Sequence, residues 1–242
     1  MKCRAGIIKR DFYIMNKLKS SASIALFLWI IASFYACQPE QPSGRQVLVF
    51  SKTKGWVHTS IPDGIKALSQ LGRENGFLVD TTKDAAFFND ETLKKYDAVV
   101  FLSTTGDVLN AEQQAAFERY IQAGGGFVGI HSAACTEYEW PWFGNMMGAH
   151  FANHPHNPGV RKATVLINDK DHPATTGLPD EWVRDDEWYN YKSFYPGINV
   201  LASLDETTYV GGTHGSHHPI AWYHEFDGGR SFYTGGGHEP EA

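Results

Sequence analysis

Cysteine is scarce in this chain, with three in 242 residues, at Cys3, Cys37 and Cys135. Two of them fall in the first 37 residues, so the body of the chain holds one thiol and can form no internal disulfide. There is no Cys pair at metal spacing and no HExxH helix, so the two commonest zinc signatures are missing. Long apolar runs are also missing, apart from Ile24 to Ala36, and that run is short for a spanning helix. Positive charge is thin where it would matter. Residues 1–37 carry six Lys/Arg and one Asp, a net of +5, so a whole-chain charge of −6 leaves −11 for the remainder. So acidic a body excludes nucleic acid or anionic lipid as a partner bound through a basic surface. Internal repeats are absent.

What is present describes one large globular domain behind a leader. The chain is 42% hydrophobic and 14% aromatic, enough to bury a sizeable core. Met15-Asn16-Lys17-Leu18-Lys19 is a short basic region, and the apolar run from Ile24 ends at Ala36-Cys37. That is the order of a secretory signal peptide. A cysteine directly after the run, followed by Gln38-Pro39-Glu40-Gln41-Pro42-Ser43-Gly44, resembles a bacterial lipoprotein signal and its tether. Phe34-Tyr35 is bulkier than the usual form, and residues 1–14 lie outside the pattern, which leaves Met15 as an alternative start. The expected organisation is therefore a signal peptide over 1–37 with Cys37 lipidated, a tether over 38–45, and a domain over 46–242. The expected location is exported, as a periplasmic or cell-envelope lipoprotein anchored to the membrane through Cys37. Export argues against reactions that need cytoplasmic ATP or free nicotinamide.

The domain alternates strands and helices. Gln46 to Phe50 reads as a first strand, Phe77 to Val79 as a second and Asp97 to Leu102 as a third. Ser60-Ile61-Pro62-Asp63 opens a helix whose Ile65, Leu68 and Leu71 keep helical spacing. Asn110-Ala111-Glu112-Gln113 is a capping box for a helix reaching Ala123. Gly124-Gly125-Gly126-Phe127-Val128-Gly129-Ile130-His131 is a fourth strand that stops on a histidine, and Ser132-Ala133-Ala134 suits a helical first turn. Continuous apolar strands between helices imply a parallel sheet covered on both faces. Beyond Gly148 the runs 160–167, 182–192, 200–204, 220–226 and 230–234 read as further strands, an extension of the same sheet with one excursion.

In open α/β sheets ligands bind at the carboxyl ends of the strands. His58 follows strand one, Thr104 and Thr105 follow strand three, and His131 ends strand four, so three loops converge on one edge. All eleven histidines except His58 lie at or after His131. His150 and His154, four apart, have metal-ligand density, although Pro155 and Pro158 weaken a helix there. Loop histidines that bind sugar hydroxyls or solvent are the plain alternative. Asp185-Asp186-Glu187-Trp188-Tyr189-Asn190-Tyr191 would place Asp185, Glu187, Tyr189 and Tyr191 on one strand face. Carboxylates beside aromatic faces suit carbohydrate recognition and acid/base work; an acidic edge strand is the bland reading. Trp140 and Trp142 fit either a cleft wall or a helix start. His218 is held at a strand entry by Pro219, and Cys135 reads as a packed thiol.

Several separated motifs carry a resemblance: Val47 to Phe50 with His58, the glycine-rich turn ending at His131, Gly148-Ala149-His150-Phe151, Asp186-Glu187-Trp188-Tyr189, His218-Pro219-Ile220-Ala221-Trp222, and Gly229 through Gly237-His238. Together they resemble the ThuA-like (trehalose utilisation) family of the class I glutamine amidotransferase-like superfamily. The resemblance implies an α/β, flavodoxin-like three-layer sandwich with a mainly parallel central sheet, and a link to trehalose and related disaccharides. His131 stands where amidotransferases keep their nucleophilic cysteine, which argues against glutamine hydrolysis. His238-Glu239 stands where that superfamily keeps its terminal catalytic pair. ThuA-like domains continue past the Gly-His motif into a final helix, so with Ala242 last the expected domain lacks it.

The function expected is acid/base or metal-assisted chemistry on a small saccharide or keto-sugar. His131, Glu187 and His238 are the catalytic candidates, and His58, Thr104, Trp140, Tyr189 and His218 the substrate-binding ones. His150 and His154 are the candidate ligands of a divalent metal such as zinc. The competing expectation is a non-catalytic sugar-binding lipoprotein with the same cleft.

Overall fold

The computed structural model describes residues 44–241. The signal segment 1–37, with Cys37, and residues 38–43 of the tether lie outside the described residues. Among those described, no helix is long and apolar enough to cross a membrane.

Among the described residues, eleven strands and four α-helices make a mixed α/β fold. The helices are α1 (Ile61–Asn75), the single turn α2 (Asp90–Leu93), α3 (Ala111–Gln122) and α4 (Pro141–Met147). Nine strands form one sheet. Its parallel half comprises β1 (Gln46–Phe50), β2 (Leu78–Thr82), β3 (Ala98–Leu102), β4 (Gly126–Ile130) and β11 (Gly229–Thr234). Its antiparallel half comprises β6 (Val160–Ile167), β7 (Glu181–Glu187), β9 (Asn199–Asp205) and β10 (Pro219–Phe226). The spatial order is β2-β1-β3-β4-β11-β10-β9-β6-β7. A separate ribbon pairs β5 (Ala149–Asn153) with β8 (Asn190–Phe194).

Burial on both faces explains the unbroken apolar runs of the parallel strands. Leu48, Phe50, Val99, Phe101 and Phe127 enter a core with Phe117 and Ile121 of α3 and Phe143 of α4. Val49, Val100 and Leu102 enter a smaller one with Ile61, Ile65 and Leu68 of α1. Phe101 is the hub of the larger core, with its ring 5.2 to 5.6 Å from those of Phe50, Phe117, Phe127 and Phe143. Each such ring stabilises the fold by about 1.5–3 kcal/mol through burial.

The capping box of α3 forms as its sequence predicts, with Asn110 and Gln113 satisfying each other's backbone N–H groups. The cap of α1 differs. Ser60 makes no side-chain cap bond, and its hydroxyl donates instead to Gly237 O at 2.8 Å. The turn after β4 is also shorter than expected, a 3₁₀ segment from His131 to Cys135 rather than an α-helix. Thr136 returns to extended backbone and Glu137 takes φ +53°, so the helical run stops there.

Two other expectations are corrected. Residues 182–192 do not form one strand: β7 ends at Glu187 and β8 begins at Asn190, so Asp185 is exposed while Glu187 and Tyr189 are buried. His150 and His154 do not share a helix face, because β5 occupies 149–153 and pairs with β8.

Candidate functional site

The register of the parallel half aligns its carboxyl ends. Phe50 pairs with Phe101, Leu102 with Ile130, and Ile130 with Thr234. The residues that follow β1, β4 and β11 therefore emerge side by side, and β7 brings its last residue to the same place. That is how His58, His131, Glu187 and His238 meet. One ligand atom from each lies within 4.8 Å of every other.

His131 takes φ +50°, a left-handed conformation that costs a non-glycine residue energy, and it turns the chain immediately after β4. Its Nδ1 donates to Gly235 O at 2.8 Å, which fixes the tautomer and leaves the Nε2 lone pair for the centre. The ring is fully buried and packs on Tyr189 at 4.4 Å between centroids. His58 uses Nδ1 on the Ser132 hydroxyl at 3.2 Å, and its ring lies 4.7 Å from that of His131. Burial, reinforced by the nearby His131 and His238, lowers its pKa to about 3, so His58 is neutral at physiological pH.

Glu187 is the acidic member. Its Oε2 lies 3.0 Å from His238 Nδ1 and 3.5 Å from His131 Nε2, and its Oε1 lies 3.3 Å from His154 Nε2. Burial opposes ionisation of this carboxyl. The contacts with His131 and His238 outweigh it and hold the group well below the usual carboxylate range. The hydrogen bond to Glu187, against some burial, raises the pKa of His238. His238 Nδ1 also stands 3.3 Å from His131 Nε2. One proton on His238 thus faces two acceptors, and the lone pairs gathered here call for a positive charge, either that proton or a cation.

Asp186 holds this arrangement from behind. It is fully buried, and its carboxylate accepts four donors. These are Glu187 N at 2.9 Å, His238 N at 3.1 Å, Gly237 N at 3.0 Å and Arg184 Nη2 at 3.0 Å. It ties the end of β7 to the segment after β11, and so sets Glu187 against His238. In the sequence Asp186 stands in the Asp-Asp-Glu run and at the head of the Asp186-Glu187-Trp188-Tyr189 motif, and neither marks it as a positioning residue.

Above the four residues opens a cleft of about 600 Å³, lined by Trp56, His58, Thr105, Ser132, Cys135, Phe151, His154, His156, Glu187, Tyr189 and His238. The other candidates sit around it or apart from it. Tyr189 is in the wall. Thr104 is buried and bonded to Thr136 Oγ1 at 2.7 Å, and it is Thr105 that reaches the lining. Trp140 is buried at the start of α4, its indole donating to Glu118, outside the lining. His218 is fully buried and supports the wall, with Nε2 on Tyr189 O and Nδ1 on Glu206, 2.8 and 2.7 Å away. His150 lies in a separate hollow with Tyr138 and Lys192, whereas His154 touches Glu187. Cys135 is in the wall, and burial pushes its thiol up to about 12. A larger hollow of about 870 Å³ lies at the other end of the parallel strands, around Arg45, Gly124 to Gly126 and Arg230. Among the described residues it gathers no comparable group of ligating side chains.

The sequence profile of the ThuA family, described as trehalose utilisation, matches residues 46–242. A ThuA-like protein from Bacteroides uniformis is 25% identical in sequence, with a TM-score of 0.69 over 85% of this chain and 86% of that one. A ThuA-like protein from Parabacteroides merdae is 23% identical, with a TM-score of 0.62 over 80% of this chain and 79% of its own. The β-galactosidase of Bacillus circulans is 15% identical, with a TM-score of 0.54 over 81% of this chain and 29% of its own. The last two share the fold alone. No functionally curated protein matches the chain.

Proposed function

Because this chain belongs to the ThuA, or trehalose utilisation, family, we propose that its cleft carries out acid/base chemistry, assisted by a divalent cation, on a small saccharide or keto-saccharide. The observation that carries the proposal is the convergence of His58, His131, Glu187 and His238 within 4.8 Å, beneath a cleft walled by aromatic and polar side chains. The fold reading that goes with it is a flavodoxin-like three-layer sandwich. The order of the five parallel strands and the helices on both faces support that reading.

The donor set fits a cation such as zinc. Three imidazoles and one carboxylate are ordinary zinc ligands, and both His58 and Glu187 are already in their unprotonated forms. His131 and His58 each commit Nδ1 to a neighbouring group, which is how supporting bonds orient metal ligands. A bound cation would polarise a sugar carbonyl or acidify a water. The chain's own proton carriers are His238, which Glu187 keeps protonated to a higher pH than usual, and His131, whose Nε2 accepts. His154 reaches Glu187 from the cleft side and offers a path to solvent. With an imidazole at position 131, and with Cys135, the thiol in the cleft wall, kept protonated by burial, the site is not set up for glutamine hydrolysis. Export and lipidation at Cys37 belong to the same proposal.

The test is incubation of the purified domain with trehalose and with 3-keto-disaccharides, with and without EDTA. The expected result is product that falls with EDTA and with His131→Ala. Binding without product, unaffected by His131→Ala, would instead identify a non-catalytic sugar-binding lipoprotein.

A further inference from the structure

Trp56 is 72% exposed and Val57 61% exposed, yet this is not a loose loop. Thr53 bridges Thr105, and Lys54 N donates to Thr105 O at 2.7 Å. Gly55 N donates to Thr105 Oγ1 at 3.1 Å, and that hydroxyl donates on to Trp56 O at 3.0 Å. One threonine therefore anchors three consecutive residues, 54 to 56. Gly106 lies so close beneath that a Cβ there would stand 3.1 Å from Lys54 Cβ.

The result is a large apolar ring held in water at the lip of the cleft. The backbone bonds to Thr105 hold the segment that carries this indole at the rim. Its ring is flat and apolar on the face with a polar N–H at the edge, a shape that matches the C–H face and hydroxyl rim of a pyranose. The cleft volume of about 600 Å³ is more than one sugar ring fills. The reactive centre occupies the floor and Trp56 the rim, so the two ends of the cleft suit two different rings.

From this we infer that Trp56 is the platform of an outer subsite that stacks on the second ring of a two-ring saccharide. The inference rests on the saccharide reading above and deepens it. The site prefers disaccharides to monosaccharides, and Trp56 with its anchor Thr105 sets that preference. Trp56 is a specificity residue and does not touch the reacting atoms.

The experiment measures Kd for trehalose, maltose, cellobiose and glucose by calorimetry on wild type, Trp56→Ala, Trp56→Phe and Thr105→Val. For the tightest disaccharide, Trp56→Ala is expected to weaken binding about tenfold, equivalent to about 1.4 kcal/mol. Trp56→Phe should restore most of that, Thr105→Val should fall between, and glucose affinity should stay within about twofold in both Trp56 variants. Disaccharide and glucose affinities that fall together, or a Trp56→Ala protein that binds disaccharide as wild type does, would overturn the inference and leave the saccharide reading standing. Wild type that binds none of the four sugars would overturn both.

Discussion

His131 shows how a single side chain is committed in advance. Its left-handed backbone, the Nδ1 bond to Gly235 and the ring contact with Tyr189 leave one free nitrogen. His58 and His131 were legible in the sequence because strands end on them, or before them, and the carboxyl-edge rule needs only the strand positions; Glu187 was read from its acidic and aromatic run, and His238 from the family resemblance. Thr104 was one residue off. Ser103 takes φ +46° just after β3, which rotates the next side chains and sends Thr105, not Thr104, to the cleft. Asp186 escaped because it works through backbone N–H groups that carry no sequence signature. Asp186→Asn replaces one acceptor oxygen by an amine facing other donors. It is expected to cost about 3 kcal/mol in urea unfolding and to lower the affinity of the centre for zinc. Wild-type values for both would refute its positioning role. Cys135 makes a separate prediction. The unfolded chain releases its thiol proton at the ordinary value and the folded chain only near 12. Alkylation by iodoacetamide at pH 8 should therefore be about a thousandfold slower in the folded protein than in urea, rising as pH climbs towards 12. The same raised value means that ionisation of this thiol disfavours the fold as pH rises between the two values. Rapid labelling of native protein at pH 8 would contradict it.

Elements were easier to read than their junctions. The parallel strands and α3 carry continuous apolar runs or a capping box, signals that local sequence contains. The break between β7 and β8 carries none, since Trp188 and Tyr189 are as strand-like as their neighbours. It is made by β8 leaving the main sheet to pair with β5, a choice set by long-range contacts. The end of α4 shows the same dependence. Gly148 takes φ +93°, and a Cβ there would stand 2.3 Å from Trp222 Nε1, whose indole donates to Met147 O. Gly148→Ala is expected to destabilise by about 2 kcal/mol or more and to alter tryptophan fluorescence. Phe101→Ala, which empties the hub of the larger core, should cost about 3–5 kcal/mol in denaturant unfolding while the far-UV spectrum stays mixed α/β. A loss below 1 kcal/mol in either would mean that the packing described is not the packing in solution.

At the scale of the whole molecule, two halves of one sheet serve different ends. The parallel half delivers His58, His131 and His238 from the residues after its strands. The antiparallel half contributes Glu187 and, through His218 and Tyr189, the wall. Residues separated by up to 180 positions in sequence thus act as a unit, and that unity is the claim on which the proposed chemistry stands. It is tested most directly by titrating zinc into EDTA-stripped protein, comparing wild type with Glu187→Gln, His131→Ala and His150→Ala. One site per chain is predicted in the wild type. Affinity should fall at least about 100-fold in the first two variants, beyond what losing a supporting partner costs, and stay unchanged in His150→Ala. Absence of zinc binding by the wild type, or equal binding by Glu187→Gln and His131→Ala, would contradict the account.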